Sequence, residues 1–121
     1  MTNGTCCSKP TDDWNHCRYQ GQAGGHYESR FLRANHPSRP LAFWIRHTIF
    51  SPAGHPENAI GEIWAVVFDG ERQRIRAARQ AFPLAQCDFS ADGRRVRLPT
   101  ASLLESHARG SVVKEGTRLA W

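Results

Sequence analysis

The stretch from His26 to Glu71 reads HYESRFLRANHPSRPLAFWIRHTIFSPAGHPENAIGEIWAVVFDGE, and its reading decides the fold. Two runs inside it, Leu41 to Phe50 and Ile60 to Asp69, are dense in aromatic and β-branched residues. Such side chains suit a pleated, half-buried surface, so both runs read as strands. The residues between them, Ser51 to Ala59, carry Pro52, Gly54 and Pro56 and read as a loop. Side chains alternate across a sheet. Trp44, Arg46, Thr48 and Phe50 therefore share one face of their strand, as do Ile60, Glu62, Trp64, Val66 and Phe68. An antiparallel hairpin with Phe50 opposite Ile60 sets Thr48 against Glu62 and Arg46 against Trp64. Arg46 and Glu62 then lie on a diagonal, within reach of each other.

Working outward, His26 to Arg33 reads as a preceding strand, and Asn35 to Pro40 as a turn stopped by Pro37 and Pro40. Asp69–Gly70 is a hairpin-type turn. Arg72 to Phe82 reads as strand in the meander set by its neighbours, although Ala77-Ala-Arg-Gln-Ala81 is compatible with helix. Cys87 to Ser90 and Arg94 to Leu98 form a short hairpin about Ala91-Asp-Gly93. Ser102 to Lys114 is read as one further strand with Gly110 as a kink or bulge. Glu115–Gly116 is a turn, and Thr117 to Trp121 begins another apolar run. Short strands at this spacing predict an all-β antiparallel meander, a barrel or a sandwich. The expectation is an incomplete barrel over residues 24–121, preceded by a polar leader, residues 1–23, disordered or loosely attached. A barrel that stops in mid-strand leaves open strand edges, and self-association through them is expected.

At 121 residues the chain holds one domain. Its net charge is +5, carried mainly by arginines spread along the chain. A basic balance admits nucleic acid or anionic surfaces as partners. No RNA-binding aromatic signature accompanies it, so the arginines read as a solvated strand face and no nucleic acid is expected. No apolar run of about 18 residues predicts a membrane span. Residues 1–20 contain no apolar segment of the secretory kind, so a cytoplasmic location with reduced thiols is expected.

Tyr27-Glu-Ser, Phe31-Leu-Arg-Ala-Asn-His-Pro37, Ala42-Phe-Trp-Ile-Arg46, Gly61-Glu-Ile-Trp-Ala65 and Phe68-Asp69 follow one another in a pattern that resembles a bacterial two-domain lipocalin-like group. That group includes hydroxyneurosporene synthase, a carotenoid hydratase, and relatives of tocopherol-cyclase-like and attachment-protein type. The resemblance covers roughly residues 24 to 121. It implies a calycin-type β-barrel, here the first of a pair and truncated.

The candidate site follows from the hairpin. Trp44, Phe50, Trp64 and Phe68 would line a cavity for an apolar or amphipathic small molecule, with Arg46 and Glu62 as polar anchors. The alternative is an ion pair on a wet face. A second functional reading is part of an isoprenoid hydratase or cyclase, with Glu28 or Glu62 as the acid; paired carboxylates are the equipment for adding water across a double bond. The alternative for both is a solvent-facing charge. A chain with no function of its own is the third reading. His47 lies mid-strand among apolar residues and reads as a buried histidine with its hydrogen bonds satisfied. Cys6, Cys7, His16 and Cys17 do not match a zinc-ligand spacing, and Cys87 reads as a small buried hydrophobe. No metal or cofactor is expected, and no phosphate loop or nucleophile elbow occurs.

Overall fold

The alternating pattern resolves into nine strands in a computed structural model that describes residues 15–121. β1 (His26–Asn35), β2 (Leu41–Ser51), β3 (Ile60–Asp69) and β4 (Arg74–Pro83) form a four-stranded sheet in chain order. β5 (Asp88–Phe89), β6 (Arg95–Leu98), β7 (Ala101–Leu104), β8 (Ala108–Lys114) and β9 (Thr117–Ala120) form a five-stranded sheet, again in chain order. All pairings are antiparallel. The protein is thus an all-β meander in two sheets. Single 3-10 turns, Pro56–Asn58 and Leu84–Gln86, serve as connectors.

The register of the β2–β3 hairpin is the one its side-chain pattern predicts. Phe50 pairs with Ile60, Thr48 with Glu62 and Arg46 with Trp64. The 77–81 segment is strand, with Ala78 opposite Ala65 and Arg79 opposite Trp64. Here the cross-strand partners override a local helical preference.

The two sheets pack face to face. Ile45, Ile63, Ala65 and Ala78 of the first sheet meet Val96, Leu98, Ala101, Val112 and Leu119 of the second in one buried cluster. Strand parity therefore divides the first sheet. Leu32, Ile45, His47, Ile63 and Ala78 point inward, and Phe31, Trp44, Arg46, Trp64 and Arg79 point outward.

The strands form two sheets and no closed barrel among the described residues. The chain leaves β4 through the Leu84–Gln86 turn and begins a second sheet, and β4 meets β8 by packing and by a bond from the Val113 amide to the Gln80 side-chain oxygen. Residues 102–114 are two strands, not one. The chain reverses at Glu105–His107, where the Leu104 amide donates to the His107 carbonyl at 2.8 Å, and Leu103 pairs with Ala108. Gly110 is neither kink nor bulge; it is paired with Ala101 in a close approach to Trp121. Finally, the part of the leader that the structure describes is fastened. The Cys17 amide donates to Ala91, the Arg18 and Tyr19 amides to Glu28, and the Tyr19 hydroxyl lies 3.1 Å from Ser51 Oγ. Backbone amides and a hydroxyl hold this strap, with the Tyr19 ring against His26, so an apolar count overlooks most of it.

Candidate functional site

The residues assigned to a ligand cavity, Trp44, Arg46, Phe50, Glu62, Trp64 and Phe68, all lie on the outer face of the four-stranded sheet. β1 adds Tyr27 and Phe31 to this face, and β4 adds Ile75 and Arg79. Tyr27, Phe31, Phe50, Phe68 and Ile75 are exposed. Phe50 and Phe68 sit at opposite ends of the hairpin, whereas Trp44, Arg46, Glu62 and Trp64 are neighbours near its middle.

At the middle of this face the Arg46 guanidinium carbon lies 4.8 Å from the Trp44 ring centre, 5.4 Å from Trp64 and 5.9 Å from Tyr27. These are cation–π distances. Glu62 does not pair with Arg46. Its Oε2 accepts from Arg79 Nε at 2.7 Å and from Trp64 Nε1 at 2.8 Å. Arg79 and Arg46 stand on either side of Trp64, each diagonal to Glu62, and the carboxylate pairs with Arg79. Burial pushes the Glu62 carboxyl up, but the hydrogen bonds from Arg79 and Trp64, with the charges of Arg79 and Arg46, hold it below its ordinary range. Glu62 is thus an anchored carboxylate and a positioning group for Trp64 and Arg79.

Glu28 lies on the inner face and does not meet Glu62. It collects the amides of Arg18 and Tyr19, His26 Nε2 at 2.9 Å and an ion pair with Arg30 at 3.5 Å. Burial raises its carboxyl, and these donors, His26 foremost, bring it below the usual range. Paired carboxylates are therefore not formed: strand parity puts one on each side of the sheet.

His47 is fully buried on the inner face, opposite Arg30 in β1. Neither ring nitrogen has a hydrogen-bond partner among the described residues. Burial, with the Arg30 charge beside it, depresses its pKa to about 4. Cys17 and Cys87 are free thiols, both raised above the ordinary range chiefly by burial. Cys87 packs on the core over Gly61, where an added Cβ would lie 2.5 Å from its Sγ. Cys6 and Cys7 lie outside the described residues. No cluster of three or more His, Cys, Asp or Glu able to hold a metal occurs among the described residues. No helix among them is long and apolar enough to cross a membrane.

A cavity does exist, elsewhere than the hairpin pattern alone suggests. A cleft of about 470 Å³ opens between the sheets at the end where β1 turns into β2. Phe43, Ile45, Ala65, Val67, Leu119 and Trp121 form its walls, with Asn35 and His36 at its polar mouth. Sequence reasoning missed it because its walls come from strands some fifty residues apart in the chain, and only the packing of β9 against the first sheet encloses it. The one available signal was the parity of Phe43, Ile45, Ala65 and Val67, which mark the inner face. Comparison with family models, curated proteins and solved structures returns no match.

Proposed function

We propose that this protein binds an apolar or amphipathic small molecule in the cleft between its two sheets. The observation that carries this reading is the cleft itself. Its volume of about 470 Å³ suits a small-molecule ligand, and its walls are almost wholly apolar. Asn35 and His36 at the mouth can hold a polar end, while Phe43, Val67 and Trp121 take the apolar body. The Trp121 indole N–H is buried without a partner among the described residues, and it offers a donor beside the cleft. An isoprenoid hydratase or cyclase would need a protonated acid at the substrate. Glu62 is held ionised on the outer face, and Glu28 sits at the His26 end of β1, away from the Ala34–Asn35 end that lines the cleft. Binding is accordingly the better-supported reading.

The test uses a neutral apolar dye, N-phenyl-1-naphthylamine, titrated into the protein and followed by its fluorescence. Saturable binding is expected. Ala34→Trp should fill the mouth of the cleft and weaken the dye by about tenfold or more, a loss of about 1.4 kcal/mol. Absence of saturable binding, or unchanged affinity in a folded A34W protein, would overturn the proposal.

A further inference from the structure

On the outer face of the four-stranded sheet one guanidinium, that of Arg46, makes no hydrogen bond or ion pair among the described residues. Counted by parity, the charged residues that the strands put on this face are Arg33, Arg46, Glu62 and Arg79, three cations against one anion. Glu62 is spent on Arg79 and Trp64. Arg46 is left with the rings and the more distant charge of Glu62. Its Nε is buried without a partner among the described residues. Ring faces attract a cation, yet they satisfy none of its N–H donors. A guanidinium partly withdrawn from water and left with unmade bonds is costly, and the natural complement is an oxyanion, which guanidinium binds in a planar, bidentate manner. Thr48, on the same face and next in parity to Arg46, repeats the observation. It is 0% exposed and its hydroxyl has no partner among the described residues.

The shape around this cation selects the rest of the ligand. Trp44, Trp64 and Tyr27 surround the guanidinium, and the exposed Phe31 ring packs beside Trp44 at 6.5 Å between centres. Broad rings at this spacing take a flat apolar body by stacking. From this we infer that the outer face is a second binding site, separate from the cleft, for an organic anion with a planar apolar body. Arg46 is its anchor for the acid group. The Glu62–Arg79–Trp64 chain holds the Trp64 ring in place beside it.

The experiment compares 2-naphthoate with its neutral analogue 2-naphthalenemethanol on the full chain, read by tryptophan fluorescence. Naphthoate should bind at least about tenfold tighter, the scale of one charge-assisted contact. Arg46→Met keeps the apolar stem and should bring naphthoate down to the level of the alcohol. Ala34→Trp, which blocks the cleft, should leave naphthoate unchanged, so the two sites fail or stand separately. In the wild-type protein naphthoate should also shift the Arg46 Nε–H resonance, a readout that needs no variant. Equal binding of acid and alcohol, discrimination surviving in R46M, or an unmoved Arg46 resonance would overturn the inference. So would Arg46-dependent binding of a labelled oligothymidylate tighter than that of naphthoate, which would make the face a nucleic-acid platform.

Discussion

His47 shows what one side chain can set. A neutral imidazole fits the inner face, but burial withholds water from its protonated form, and the Arg30 backbone beside it offsets this only in part. Its folded pKa of about 4 lies below the ordinary 6.5, so the unfolded chain takes up the proton first. Stability is therefore full above pH 6.5, falls as pH drops from 6.5 towards 4, and levels off below. The span corresponds to about 3 kcal/mol, lost by acid with no carboxylate involved over most of that range. Urea unfolding at pH 7.5 and 4.5 should show the drop, and His47→Leu should flatten it. A wild-type slope equal to that of the variant would refute this account. Glu62 offers a second test at this scale. Arg79 is about two-fifths exposed, which screens the pair. A double-mutant cycle with Glu62→Gln and Arg79→Met should return a coupling of only about 1 kcal/mol. These two residues were legible in different degrees. Burial of His47 follows from its place in an apolar run. The partner of Glu62 does not, because Arg79 enters from β4 and its seat depends on the β3–β4 register.

Elements here are tuned by where two of them touch. Gly110 in β8 has a Cβ-sized space filled by other atoms: an added Cβ would sit 2.6 Å from Ala101 Cβ and 2.7 Å from Trp121 Cζ2. Trp121 is in turn tied to Gly110 by a mutual pair of backbone bonds at 2.9 and 3.1 Å. Gly110→Ala should therefore displace the indole, cost about 1–3 kcal/mol in stability and weaken dye binding in the cleft. Thermal unfolding together with the dye titration checks both effects, and an unchanged midpoint would show that Trp121 yields freely. The strands of the first sheet were readable because their period-two pattern is long and each turn carries Pro or Gly. The β7–β8 reversal was not. Residues 105–107, Glu-Ser-His, hold neither Gly nor Pro, so the turn has no local signal, and only the pairing of Leu103 with Ala108 reveals it.

Across the molecule, the strap of residues 15–23 joins β1 to the loop after β5. Tyr19 reaches Ser51 at the end of β2, and the Cys17 amide reaches Ala91. Tyr19→Phe should lose one half-buried hydrogen bond, about 1 kcal/mol, seen as a lowered unfolding midpoint. No change would return the strap to the status of a loose leader. Sequence alone determined the all-β class, the β2–β3 register and the sharing of one face by Trp44, Arg46, Glu62 and Trp64. Those follow from local alternation, which any strand must obey. What lay above that face did not follow. A period of two says that two sets of side chains point apart, not which set meets the second sheet. Tertiary packing chose the Ile45–Ile63 side for the core, turned the aromatic and arginine side away from the second sheet, and built the cleft with β9. It did so because the five-stranded sheet offers Val96, Val112 and Leu119 as an apolar complement, against which Ile45, Ile63, Ala65 and Ala78 bury.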